Sequence, residues 1–300
     1  MARVAKVVTI MAFLAARIVY GDDSEPDYDS LAAKGSPVPN KIADNAAAID
    51  ITPLTDDFIA AAADSSWWYR KLENKAFGVG ERLEFSVKYG MLPAGTAVMK
   101  IPEIIDYEGH PSFRIISTAR SNNVVSVFYK VRDSVENIVD YDGIFPRKFR
   151  KRLRECGYEA DKTTLFDQRV HLAIAGNDTI PTYAFVQDAL SSLYFIRTRE
   201  LTPGNEILID NHTDKKNYPL KIVVCRKETV KVPAGSFDCV VIEPVMRAEG
   251  IFKAKGRIWI WLTDDQFKLP VKMQTEVFFL GSITAQLKKF TLGTVEAEDG

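Results

Sequence analysis

Three histidines, three cysteines and a few adjacent carboxylates are where catalysis or metal binding would begin in this 300-residue chain. His110 stands in a turn between Gly109 and Pro111, and His171 falls in an extended stretch. His212 lies in Asp210-Asn-His-Thr-Asp214, where two carboxylates flank an imidazole in the manner of a metal clip. A structural zinc site needs about four ligands and a calcium loop about six oxygens or more. Lys215-Lys216 also follows at once and would oppose a cation, so a solvated polar loop is the expected state. Asp264 and Asp265 would point to opposite faces of a strand. They are expected to form a turn after the strand before them, because Asp side chains bond nearby backbone amides. Ser191 and Ser192 neighbour Asp188 with no histidine at helical spacing, and read as small residues that let a helix approach a sheet. No Gly-x-Ser-x-Gly elbow, His-Glu-x-x-His pair, phosphate loop or dinucleotide-binding glycine pattern is present. No catalytic residue, metal ligand set or cofactor is therefore assigned.

Arg147-Lys-Phe-Arg-Lys-Arg-Leu-Arg154 is the sharpest electrostatic feature. In a strand, Lys148, Arg150, Arg152 and Arg154 would form one ridge about 20 Å long or less, at ~3.3 Å per residue. Such a ridge can grip phosphates through charge-assisted hydrogen bonds. The plainer expectation is an exposed edge strand that like charges defend against pairing with a neighbour.

Whole-chain composition is that of a globular protein: 46% hydrophobic, 26% charged, net charge −1. The balance argues against a nucleic-acid binder. Residues 1–21 join a basic start (Arg3, Lys6) to an apolar run over Val7 to Ala16, which is too short to span a bilayer as a helix. A cleavable export signal is expected, with small Gly21 at its end and no transmembrane span in the mature chain. Residues 22–66 carry four prolines, alanine patches and, up to Asp64, ten acids against two bases. They are expected to be a disordered acidic linker.

From residue 67 to 300 a single β domain is expected. Leu83, Phe85, Val87 and Tyr89 alternate with Arg82, Glu84, Ser86 and Lys88, the pattern of a strand with one wet face. Extended pieces follow near 96–105, 113–119, 131–141, 147–155, 163–167, 221–232, 237–244, 256–262, 271–279 and 282–290, separated by turn residues. In 256–262, Ile258, Ile260 and Leu262 oppose Trp259 and Trp261, so that strand is expected to be central. Roughly ten to twelve strands result, mainly antiparallel, in a curved sheet or barrel-like domain. Residues 186–199 break the pattern: Val186, Ala189, Leu190 and Leu193 share a helical face, Asp188 suits the helix start, and Arg197 and Arg199 suit its end. This helix is expected to cover the open mouth or concave face of the sheet. Cys225 and Cys239 flank Pro233–Ser236. With Ala234-Gly235 as the turn, Cys239 would face Val230 and a bridge would be out of register.

Phe77-Gly-Val-Gly-Glu81 with its following strand to Gly90, then Ala94-Gly95, Gln187-Asp188-Ala-Leu-Ser-Ser-Leu-Tyr194 with Arg197, Val232-Pro-Ala-Gly-Ser-Phe237, Ile258-Trp259, Asp264-Asp265 and Leu269-Pro270-Val271 arrive in order. Together they resemble the bacterial exported proteins of the domain of unknown function 3108 family, over about residues 75–290. The resemblance implies a periplasmic or cell-surface protein with a curved β architecture, and no chemistry. The expected function is non-enzymatic: binding an apolar or amphipathic envelope ligand, with Phe85, Tyr89, Asp188, Tyr194, Arg197 and Trp259 as candidate contacts, or a structural role. One alternative is a hydrolase of an envelope polymer that uses Asp188, Arg197 or Asp264-Asp265. Another is a polyanion-binding module that uses Lys148, Arg150, Arg152 and Arg154. Lipid, glycan or another envelope component is the expected partner class, and the oligomeric state is left open.

Overall fold

The computed structural model describes residues 70–246, 257–277 and 281–294. The export signal assigned to 1–21 and the linker assigned to 22–66 lie outside them. Within the described residues the chain forms fourteen strands and two helices. The first half runs β1 (Arg82–Tyr89), β2 (Leu92–Tyr107), β3 (His110–Ser121), helix α1 (Asn123–Phe128), β4 (Arg132–Asp140), β5 (Pro146–Glu155), β6 (Tyr158–Asp167), β7 (Leu172–Ala175) and β8 (Asp178–Pro181). Helix α2 (Ala189–Arg197) follows, then β9 (Glu206–Thr213), β10 (Lys216–Val232), β11 (Gly235–Met246), β12 (Arg257–Thr263), β13 (Pro270–Val277) and β14 (Gly281–Thr291).

All strands belong to one antiparallel sheet in the order β8-β7-β6-β5-β4-β3-β2-β1-β14-β13-β12-β11-β10-β9. The all-β class is as expected, and the strand count rises because 172–181 folds as a further short hairpin and Glu206–Thr213 as a further strand, β9. Period two drives the layering. Leu83, Phe85 and Val87 of β1, Ile115 of β3, Val135 of β4 and Ile258 and Ile260 of β12 are all buried on the concave side. β12 lies between β11 and β13, which agrees with the central position inferred from its apolar faces.

The sheet is not closed by a ladder. Its margins, β8 and β9, are brought together by the residues leading into α2. Gln187 pairs in parallel with Asn211 of β9, its amide donates to Asp210 (2.8 Å), and it accepts from the His212 amide (2.7 Å). Asn217 of β10 donates to the Pro181 carbonyl of β8 (2.7 Å). The C-terminal end of the β9 edge, at Asp210 to His212, is thereby paired rather than left as a template for a foreign strand. Helix α2 then runs inside the curl. Every residue of it is buried or half-buried, so it covers the inner face of the sheet as expected and packs there as a plug. Its first residue packs with Val135, Phe149, Leu153, Phe166 and Ala173, and Leu193, Tyr194 and Ile196 join the main core.

Three expectations are corrected here. The basic strand β5 is not an edge: it pairs along its length with β4 and β6. Asp210 to Thr213 is not a solvated loop but the end of β9, with Asn211, His212 and Thr213 buried. The β10–β11 hairpin turns on Pro233-Ala234, since Val232 pairs with Gly235, so Cys239 faces Glu228. Cys225 falls at the bulge between Val224 and Arg226, and all three cysteines are free thiols.

Candidate functional site

The six residues expected to line a ligand site separate into two buried polar centres and an outer aromatic. At the C-terminal end of α2, the Arg197 guanidinium is fully buried against Glu81, donating Nη1 to Oε1 (2.8 Å) and Nη2 to Oε2 (2.6 Å). It also donates to the carbonyls of Ala76 (3.0 Å) and Phe267 (3.2 Å). The Tyr194 hydroxyl donates to Glu81 (3.4 Å), and the ring packs edge-on to Phe77. Burial alone would lower the Arg197 pKa, but the charge and hydrogen bonds of Glu81 reverse this and hold it raised. Burial and the same carboxylate push Tyr194 well up. Phe85 is buried in the surrounding core and Tyr89 is half-buried at its margin. Trp259 is half-buried on the opposite face of β12 from Ile258 and Ile260, stacked on Arg257.

Asp188 serves the other end of α2. Its carboxylate accepts from the amides of Leu190 (2.8 Å) and Ser191 (2.9 Å), while Ser191 Oγ accepts from the Asp188 amide (2.9 Å), a capping box. Asn137 Nδ2 donates to both carboxylate oxygens (2.9 and 2.7 Å). Burial outweighs these donors and pushes the carboxyl up to about 6. Asp188 also lines a small chamber with Phe149, Lys151, Phe166, His212 and Asp214. Lys151 points inward there and binds Asp214 (2.9 Å). His212 Nδ1 meets Asn217 Oδ1 (2.8 Å), and burial pulls its pKa down. At about 20 Å³ the chamber admits one water and no larger ligand. Asp264 and Asp265 form the β12–β13 turn as expected. Asp265 accepts from Thr263 Oγ1 (2.7 Å) and the amides of Phe267 (2.9 Å) and Lys268 (3.0 Å), and Asp264 pairs with Lys227.

The convex face over β3, β4 and β5 is arranged differently. Lys148, Arg150, Arg152 and Arg154 do project together, because Phe149, Lys151, Leu153 and Glu155 take the inner side. Arg150 makes a bidentate pair with Asp161 of β6 (2.8 and 2.6 Å), and Arg152 approaches the same carboxylate (3.4 Å). The bond from Arg150 holds the Asp161 pKa below its usual value. Arg114 is likewise shared between Glu103 (2.8 Å) and Glu136 (2.6 Å), and with Arg150 and Arg152 it lines an outer groove of about 190 Å³.

At the remaining end of this face, like charges oppose one another. Arg120 pairs directly with Arg132 across β3 and β4. Arg132 in turn lies opposite Arg154, between the pairs Ser134–Arg152 and Val131–Glu155. Three exposed arginines thus stand in a row across three adjacent strands, with Glu159 of β6 beyond Arg154. Among the described residues none of the three joins an ion pair. Directly opposed like charges are destabilising, and at ~4.8 Å per strand the row is roughly 10 Å wide. Bidentate guanidinium donors at this spacing suit successive phosphates. Arg120 and Arg132 were not among the expected site residues, because their pairing appears only once the β3–β4 register is known. The usable signal was that they flank the Asn122 to Lys130 connection.

The family model described as "Protein of unknown function (DUF3108)" matches residues 84–288. A comparison with curated proteins finds no match. Among solved structures, a β-barrel-like protein of domain of unknown function DUF1849 from Brucella abortus overlaps with TM-score 0.49 at 10% identity, covering 73% of this chain and 100% of its own. A candidate lipoprotein from Parabacteroides distasonis gives 0.35 at 8% identity, covering 74% and 100%. A candidate exported protein with a YmcC-like fold from Bacteroides fragilis gives 0.30 at 11% identity, covering 74% and 99%. Likeness at this level carries no functional argument.

Proposed function

The chain belongs to the DUF3108 family, and from that premise we propose that it is an exported, non-enzymatic binding protein whose ligand is a polyanionic component of the cell envelope. The observation that carries this reading is the row Arg120–Arg132–Arg154, exposed, in register and without ion pairs among the described residues. Lys148, Arg150 and Arg152 extend the same face, although Asp161 already occupies two of them. The geometry favours the outside over the interior. Phe85, Tyr194 and Arg197 are packed among their own neighbours, and Asp188 is committed to the helix cap. Export is the role expected of the pattern in residues 1–21.

Calorimetric titration of the protein with inorganic polyphosphate tests the proposal. Arg120→Gln/Arg132→Gln/Arg154→Gln should lower affinity by about tenfold or more, since charge-assisted contacts to phosphate are lost. Its unfolding midpoint should match wild type or rise slightly, because opposed charges are removed. Equal affinity in wild type and the triple variant sinks the proposal.

A further inference from the structure

Val124, Val127 and Phe128 stand at the i, i+3 and i+4 positions of α1, the spacing by which a helix normally turns an apolar stripe toward its core. In α1 the stripe faces outward, and the helix buries no residue. Met91 and Leu92, on the neighbouring β1–β2 turn, are equally open, and the five side chains are between 69% and 93% exposed. The two segments are tied together. Asn122 donates its side chain to the Pro93 carbonyl (2.7 Å) and its amide to the Ala94 carbonyl (2.9 Å). Asn122 Oδ1 also caps α1 through the Val125 amide (2.8 Å), Val125 packs against the core, and Ser121 Oγ bonds both Ser126 Oγ (2.7 Å) and the Val131 amide (2.9 Å). The outward stripe is therefore held in place by specific bonds on both sides of the helix.

Basic residues ring this tip. Arg120 and Arg132 flank the α1 connection, Lys130 follows the helix, Lys88 leads into the β1–β2 turn, and Arg154 completes the row. Among the described residues none of the five joins an ion pair. Asp133 and Glu155, the acids next to Arg132 and Arg154 in sequence, are buried on the inner side, and Glu159 is the exposed acid that faces Arg154. An apolar projection inside a basic collar is the arrangement that docks on a membrane surface, with apolar side chains at the acyl boundary and cations at the headgroups.

We infer that the α1 and β1–β2 tip inserts into an anionic lipid surface, its arginines meeting lipid phosphates. The charge half of this inference rests on the arginine-row reading, and the apolar half does not.

Two variants of the full chain test it on vesicles of equimolar phosphatidylcholine and phosphatidylglycerol. Phe128→Trp keeps the tip apolar and makes it a reporter, and brominated acyl chains should quench its fluorescence beyond the signal of the four native tryptophans. Met91→Gln/Phe128→Gln changes two exposed positions without adding charge, so its unfolding midpoint should stay at the wild-type value. Vesicle affinity should nonetheless fall by about tenfold or more, with polyphosphate binding unchanged. No quenching in Phe128→Trp, or unchanged vesicle affinity in the double variant, overturns the inference. Equal binding to pure phosphatidylcholine overturns its commitment to an anionic surface. A dimer that the double variant dissociates, without vesicle binding, assigns the tip to a second copy and also overturns it. If wild type binds vesicles and Phe128→Trp is quenched, yet wild type ignores polyphosphate, insertion stands and the arginine-row reading falls.

Discussion

Arg197 carries four hydrogen bonds in a region closed to water, two to Glu81 and two to backbone carbonyls. Removing one member of such a pair leaves the other charge buried alone, so Arg197→Met should cost about 3–5 kcal/mol. Lysine is no substitute, since one ammonium cannot reach two carboxylate oxygens and two separated carbonyls in the same geometry. Glu81→Leu/Arg197→Met should recover part of the loss, as measured by urea unfolding. A double variant as unstable as the sum of the singles would show that the pair is not coupled. Asp188 gives a pH signature. Its folded-state pKa, about 6, lies above the ordinary 3.8. The stability it contributes is therefore fully present below about pH 4 and is lost as pH rises through about 6. In Asp188→Asn this component disappears, so the wild-type-minus-variant unfolding free energy should fall by up to about 3 kcal/mol across that window, at 1.36 kcal/mol per pKa unit. A flat difference would place the Asp188 pKa near its normal value. Both residues were legible in the sequence as helix-end groups. Their partners, Glu81 and Asn137, were not, because each lies more than fifty positions away.

At the scale of elements, β1 and α2 were readable because their own periodicity decides what they bury. Leu83, Phe85 and Val87 alternate as expected, and α2 begins one residue after the capping Asp188. α1 was missed for a physical reason. Val124, Val125, Val127 and Phe128 have strand-like composition, and a six-residue helix that packs only Val125 against the core leaves no helical pattern of burial to find. The charge run of β5 suggested an edge, since local charge density cannot show that β6 supplies Asp161 as a partner. Gly95 holds β2 close to β3 beside this region: a Cβ there would lie 2.2 Å from the Arg120 carbonyl oxygen. Gly95→Ala should force the strands apart and cost about 2 kcal/mol, within the usual range for overpacking. An unchanged denaturation midpoint would mean that the β2–β3 contact yields without penalty.

For the whole molecule, a fourteen-stranded sheet curls until its margins are joined through the lead-in to α2, and the helix fills the interior. The family match from Glu84 to Lys288 spans that sheet from β1 to β14. Curvature was foreseeable from many one-sided strands, whereas the meeting of β8 with β10 depends on contacts that no local pattern encodes. With the core committed to packing and to its own ion pair, binding is assigned to the convex side. The most direct measurement is polyphosphate affinity across a series of salt concentrations, for wild type and for Arg120→Gln/Arg132→Gln/Arg154→Gln. The expected result is a steep loss of affinity with salt in wild type and a log–log slope shallower by about 2 in the triple variant, at ~0.7 per phosphate contact. Superimposable salt curves for the two proteins would contradict the assignment of the ligand to this face.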